Sequence, residues 1–262
     1  MRVSELYIHP VKSACSVAVS EMTFDGRGPI GDRRYMVIGA DGLFRTQRNL
    51  PAMTRLAARI DSSGNLLLTA HGFDALTVAP PAAPLQTAHV WDSAVPVRDC
   101  GDTVAHWLAR VLREPCRLVR QGADGTRPIR RLPAREVSLA DGYPLLLLSA
   151  AALTDLGARL GRTVEARRFR PNIVVEGCAP HAEDGWRRVR IGANTFTVAQ
   201  PCERCSIPAL DPQTGIATSG FNRALAKYRT RDRKVLFGQN LVHEGEAAIA
   251  VGDEVEVLEA LA

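Results

Sequence analysis

The chain has 262 residues, 46% hydrophobic and 23% charged, with a formal charge of +5; it is long enough for one large or two modest domains and is no disulfide-stapled miniature. No stretch approaches the ~20 apolar residues of a membrane-spanning helix, and the leucine run Leu145 to Leu148 is only strand-sized. All but three of the 33 basic residues are arginine, and no basic stretch interleaves with the few aromatics, so nothing supports a nucleic-acid stacking platform.

The start, Met1-Arg2-Val3-Ser4-Glu5, runs directly into a strand-like pattern with neither a signal-peptide core nor a transit-peptide composition. The expectation is a cytoplasmic protein without a membrane partner. Arg34 to Gly39 and Leu43 to Thr46 read as a hairpin turning at Asp41-Gly42, and Leu66 to Thr69 follows the Gly64-Asn65 turn as a further strand. The Ala/Pro-rich segment from Pro80 to Pro84 reads as a turn between strands. Asp102 is placed to cap a helix whose inward face carries Val104, Trp107, Leu108, Val111 and Leu112, with Pro115 ending it. From Arg117 to Arg135, six arginines punctuated by Gly122, Gly125, Pro128 and Pro133 suggest a solvated basic loop, a domain boundary or a mobile lid.

Strand signals resume at Pro144 to Leu148, followed by a helix from Ser149 to the stop at Gly161. Asn172 to Glu176, a hairpin from Arg187 to Val198 turning at Gly192 to Asn194, a helix near Ser219 to Arg229, and a closing strand around Glu254 to Leu258 complete the pattern. Short strands dominate and the helices do not alternate with them, which predicts a β-rich α+β fold.

Of six cysteines, only Cys202 and Cys205 form a local pair. A pair at this spacing can bind zinc, run dithiol chemistry, supply one thiolate to another metal, or be two inert buried thiols. The six histidines offer no second zinc-binding pair, and the residues after Cys205 give no helix start of the thioredoxin kind.

Cys202-Glu-Arg-Cys205 followed by Asp211-Pro-Gln-Thr-Gly215, with Phe169-Arg-Pro-Asn172, Phe237-Gly-Gln239 and His9-Pro-Val-Lys-Ser13, resembles in order and content the MOSC-domain family. The likeness is to the branch with an N-terminal MOSC β-barrel domain that includes the mitochondrial amidoxime-reducing components and their bacterial relatives. The resemblance implies an N-terminal barrel-like domain over residues 1–118 and a MOSC domain over 119–262, with a molybdenum cofactor (molybdopterin) held between them. It puts the metal-binding, catalytic thiolate on Cys205, where a neighbouring Arg204 would ease ionisation. Lys12 and Ser13 match the family's phosphate-contacting pair, and Arg33 its Asp-Arg-aromatic region, with the register between Arg33 and Arg34 open. Arg48 falls in the Thr-x-Arg segment, Arg168, Arg170 and Asn172 face the pterin's polar edge, and Asp141 is the acidic position that would serve the pterin or orient a substrate.

The implied activity is reduction of N-hydroxylated or related N-/S-oxygenated small molecules. Electrons would come from a separate partner protein, because the chain offers neither an iron–sulfur motif nor a dinucleotide-binding Gly-x-Gly-x-x-Gly. The alternative is a non-redox cofactor or sulfur carrier in which Cys205 is the ligand or bears a persulfide.

Overall fold

Four consecutive leucines make a stable strand only when both its faces are covered, and the strand Leu145–Ser149 is buried at every position. The structure, a computed structural model, describes residues 1–122 and 125–261. Leu145 and Leu147 enter a core with Val3, Leu6, Ile173, Phe196 and Leu241. On the opposite face, Leu148 meets Leu153, Leu156, Phe169 and Phe237.

This strand pairs parallel with Ile173–Glu176 and antiparallel with Lys234–His243. A parallel pair needs a crossover, supplied by the helix Ala150–Leu160, in which Ser149 accepts a capping hydrogen bond from the Ala152 amide and Gly161 closes the last turn at φ 65°. From Leu145–Ser149 the sheet continues through Lys234–His243, Asn194–Glu203 and Trp186–Ile191 to Val255–Ala260; on the other side it runs through Ile173–Glu176 and Arg2–Ile8 to Val17–Val19. Arg2 bridges Glu254, and the Val255 amide donates to the Met1 carbonyl at 2.9 Å, so the sheet curls back on itself.

A second, four-stranded sheet orders Leu85–Val90, Ser93–Asp99, Cys116–Gln121 and Tyr35–Gly39. Beside it, a three-stranded meander (Ala57–Ile60, Leu66–Ala70, Phe73–Val78) and the helix Asp102–Leu112 share a core of Val37, Leu66, Leu68, Trp107, Leu108 and Leu118. The β-rich α+β expectation holds, with three α-helices among the described residues. Among those residues no helix is long and apolar enough to cross a membrane. Chain order and spatial order part company at the start, because Arg2–Ile8 belongs to the sheet of the second half. The strand Cys116–Gln121 also runs through positions 118 and 119, so a cut placed there divides a strand.

Three local expectations are corrected. Gly101, not Asp102, is the helix N-cap; the Asp102 carboxylate instead accepts from Arg117 at 2.8 Å. Phe44 returns to Ile38 only as an isolated bridge, so the first hairpin lacks a full second strand. The arginine-rich stretch is not a single loop: Cys116–Gln121 is a strand whose Arg117 binds Asp99 of its neighbour at 2.5 and 2.8 Å, and Pro128–Ile129 pairs with Leu132–Glu136. Cross-strand pairing absorbs a charge that reads in sequence as solvated. Positions 123 and 124 of that stretch lie outside the described residues.

The Phe237-Gly-Gln239 motif is architectural. Phe237 stacks on Phe169 with ring centroids 4.2 Å apart, and Gln239 donates to Asp184 at 2.8 Å. Between them Gly238 sits at φ 78°, where a Cβ would lie 2.7 Å from the Leu147 carbonyl oxygen. Gly238→Ala is therefore expected to cost ~1–3 kcal/mol for the forced backbone alone, and more for the carbonyl contact. The measurement is a lowered urea midpoint with unchanged m-value.

Candidate functional site

Beside the start of Leu145–Ser149 and the end of Asn194–Glu203, a cleft of about 130 Å3 gathers residues from distant parts of the chain. Lys12, Ser13, Arg33, Asp141, Arg170, Asn172, Cys202 and Cys205 all line it. Of the eight described non-glycine residues with positive φ, Ser13, Arg33 and Arg170 are three. Such backbone is rare outside glycine, and its clustering here marks a place where side-chain direction outweighs local comfort.

Each cation has a structural tether. Lys12 is buried and donates to the Leu139 carbonyl at 2.9 Å and to Asp141 Oδ1 at 2.5 Å. Arg33 donates to Asp32 at 2.5 Å and to Asn172 Oδ1 at 3.0 Å, whereas Arg34 turns away to Asp25 at 2.7 Å. Of the two, Arg33 lines the cleft and Arg34 does not. Arg170 donates one nitrogen to the Ala14 carbonyl at 2.5 Å, while its other terminal nitrogen is buried without a partner. The cleft's lining carries four cationic side chains (Lys12, Arg33, Arg170, Arg204) against two acidic ones (Asp141, Glu203).

Burial lowers the basicity of Lys12 and brings Arg170 down to about 10, with Arg33 adding like-charge repulsion in both cases. Enclosure works to raise the Asp141 carboxyl, but the Lys12 ammonium, aided by the Trp91 N–H and Arg33, holds it well below the usual carboxylate range. Asp141 is nevertheless 71% exposed, so an ionised acceptor faces the open side of the cleft. Behind it, the buried Arg127 donates to the carbonyls of Ser138, Ala140 and Asp141 and sets the path of this segment.

On the opposite wall, Arg204 donates to Cys202 Sγ at 3.0 Å and to the Phe169 carbonyl at 2.8 Å. The expectation that Arg204 accompanies Cys205 is corrected. Arg204 follows the end of the strand Asn194–Glu203 and its guanidinium reaches back to Cys202, whereas Cys205 lies one residue further on and is exposed. Among the described residues no three His, Cys, Asp or Glu side chains gather as a metal site, so a zinc cluster around this pair finds no further ligands there.

Two expected residues stand outside the cleft lining. Arg168 turns its guanidinium to the Leu210 carbonyl at 3.0 Å and Asp211 at 3.3 Å, clamping the loop after Cys205. Asp211 Oδ1 in turn accepts from the amides of Gln213 and Thr214, which accounts for the Asp-Pro-x-Thr-Gly pattern as a turn. Arg48 stacks over the Trp91 ring at 4.7 Å. Trp91, whose Nε1 donates to Asp141 at 3.2 Å, and Arg127 are the participants that sequence reading missed. A tryptophan at a hairpin tip was the available signal for the first.

His9 explains the first residue of the His-Pro-Val-Lys-Ser motif. Fully buried, it places Nε2 3.1 Å from the Pro171 carbonyl and leaves Nδ1 unpartnered. Burial, then Arg33 and Arg170, hold its pKa well below 6.5; burial also lowers His181 and His243. The unfolded chain therefore binds protons that the folded chain refuses, and stability is expected to fall as the medium moves from about pH 7 to about pH 5. Urea midpoints across that interval measure the loss; His9→Gln should flatten part of the slope, and the His9 ring should not titrate there by NMR.

The comparisons with known proteins cover nearly the whole chain. Residues 1–115 match the MOSC N-terminal beta barrel domain and residues 134–256 the MOSC domain. The chain is 34% identical to mitochondrial amidoxime-reducing component 1 of Mus musculus over 98% of its own length and 82% of that protein. It is equally similar, at 34% and the same coverage, to the Homo sapiens protein of that name. It is also 25% identical to the Homo sapiens molybdenum cofactor sulfurase, where it spans 30% of that protein.

Proposed function

This chain belongs to the MOSC-domain family that includes the mitochondrial amidoxime-reducing components, and on that premise we propose that it is a molybdenum-cofactor oxidoreductase. Its substrates are N-hydroxylated and related N- or S-oxygenated small molecules, and its electrons come from a separate protein. The observation that carries the reading is the cleft's polarity: an excess of buried and half-buried cations, one with an unpartnered buried nitrogen, shares the cleft with two thiols. A phosphate-bearing pterin suits the first wall, and a thiophilic metal suits the second.

In this arrangement Lys12, Ser13, Arg33 and Arg170 hold the phosphate and pterin end, and Cys205 is the protein's ligand to the metal. When bound, the cofactor supplies a two-electron redox centre; reduction of an N–OH compound to its N–H parent consumes two electrons and two protons and releases water. Asp141, ionised and exposed, accepts hydrogen bonds from the substrate's N–H groups and so orients the N–O bond. Asn172 positions Arg33, and Arg168 positions the loop that follows Cys205. Arg48 acts one residue removed, through Trp91.

A carrier reading, in which Cys205 retains the cofactor for delivery or bears a persulfide, is supported by the similarity to molybdenum cofactor sulfurase. The two are separated with protein made in a host that produces the pterin cofactor. It should contain a single molybdenum per chain, release a pterin on denaturation, and reduce amidoximes, hydroxylamines, N-oxides or sulfoxides with a reduced viologen dye. Cys205→Ser should abolish this activity, because a hydroxyl is a harder and less acidic ligand, while Cys202→Ser should retain much of it. Stoichiometric zinc without pterin ends the cofactor reading. Fully loaded protein that reduces none of the panel yet passes cofactor or sulfane sulfur to an acceptor establishes the carrier.

A further inference from the structure

Adjoining the cleft, and sharing Asp141, Gly142 and Tyr143 with it, is a larger groove of about 830 Å3. A space of that size accommodates a drug-sized organic molecule, with hydrophobic and aromatic walls for its body and a few polar groups to orient it. Here Trp91 and Tyr143 supply the aromatic walls, with the buried Ile129 and Val137 beneath them; Arg130 and Arg131 bring exposed positive charge, and the Asp92 carboxylate lies beside Trp91 on the opposite hairpin. Both arginines are exposed and occupy the turn between Pro128–Ile129 and Leu132–Glu136. Arg131 is near enough to oppose the effect of burial on the Tyr143 phenol, so cation and aromatic wall share one electrostatic neighbourhood.

Trp91 is 48% exposed, yet its ring is held. Nε1 donates to Asp141 at 3.2 Å, the Arg48 guanidinium lies 4.7 Å from the ring centroid, and Phe44 meets it edge-on at 5.1 Å. Lys12, which binds Asp141, lies 5.1 Å over the Phe44 ring, so the cleft's ion pair and the groove's aromatic wall are one assembly. Trp91 also stands at φ 54° at the tip of the hairpin formed by Leu85–Val90 and Ser93–Asp99, a backbone conformation that bulky aromatics rarely adopt. A fixed, accessible indole whose polar edge is tied to the exposed, Lys12-paired carboxylate of Asp141 presents a flat apolar surface to whatever reaches that carboxylate.

We infer that this groove is the subsite for the organic body of the substrate, selecting planar aromatic compounds whose N-oxygenated end reaches Asp141 and whose far end carries an anionic group bound by Arg130 and Arg131. The inference rests on the reductase reading and adds the substrate class. Trp91 and Tyr143 cover the ring; the two arginines hold its anionic end; Asp141 takes the end that reacts.

The test uses molybdenum-loaded protein, reduced viologen and four substrates: benzamidoxime, its 4-carboxylate, its neutral and nearly isosteric 4-carboxamide, and acetamidoxime. The expected result at low salt is a kcat/KM for the carboxylate about tenfold above the carboxamide, shrinking as salt screens the exposed arginines. In Arg130→Gln/Arg131→Gln the carboxylate-to-carboxamide ratio should fall to near one. Trp91→Leu should lower the ratio of benzamidoxime to acetamidoxime turnover, and Trp91→Phe, which keeps a ring but loses the N–H, should largely preserve it. Equal rates for carboxylate and carboxamide in the unmodified protein, or a preference that survives the double substitution, overturn the inference while acetamidoxime turnover leaves the reductase reading standing. If no amidoxime is reduced, that reading fails, and the groove is judged by calorimetry with the 4-carboxylate. Binding that disappears in the double variant supports the subsite, and absent or unaltered binding overturns it.

Discussion

The side chain of Asn172 uses all of its hydrogen-bonding capacity inside the protein, and the cleft depends on it. Its oxygen accepts from the Leu146 amide at 3.2 Å and from Arg33 at 3.0 Å; its nitrogen donates to the Tyr7 carbonyl at 3.1 Å and to Asp32 at 3.2 Å. One fully buried carboxamide thus joins the first strand, the central leucine strand and the Asp32-Arg33 turn. Asp32 extends the network by accepting from the His9 amide at 2.7 Å. A buried polar network satisfied at every member fixes a unique geometry, because any slip leaves a polar group without water or partner.

That fixity permits the cleft's charge. Lys12, Arg33 and Arg170 would repel one another, and each pays to leave water; Asp32 and Asp141 offset part of this through ion pairs to Arg33 and Lys12. The remainder shows as depressed basicity in Lys12 and Arg170. An anionic occupant would relieve the repulsion among the cations and so offset part of these costs. A rigid frame is what prevents the side chains from relieving the repulsion by swinging into solvent.

Much of the scaffold was legible because it follows from local rules. Ser149 and Gly161 delimit a helix by capping chemistry, and Gly192 to Asn194 turns a hairpin as its composition demands. Most of the candidate site residues converge on one cleft, since the motifs that carry them share backbone constraints. What stayed hidden depends on contacts across the chain. Nothing near Arg127 says that its guanidinium will meet three carbonyls more than ten residues away. Nothing in Cys-Glu-Arg-Cys says that the strand ends between the two thiols, which assigns Arg204 to Cys202. The arginines after Cys116 looked solvated because Asp99, the partner of Arg117, lies on a different strand.

The five residues from Arg168 to Asn172 show how one short segment serves both ends of the cleft. Arg168 clamps the loop after Cys205, Phe169 is fully buried between Phe237 and Phe221, Arg170 faces the cleft, and Asn172 pins the cationic wall. The left-handed backbone at Arg170, φ 57°, reverses the direction of the chain between the buried ring and the carboxamide. Because the thiol loop and the cationic wall are each fastened to this segment rather than to each other, their spacing is set by five residues of backbone. The outer groove, built from the Trp91 hairpin and the Pro128 to Glu136 hairpin, is not fastened to this segment; it reaches the cleft through the Trp91 N–H on Asp141.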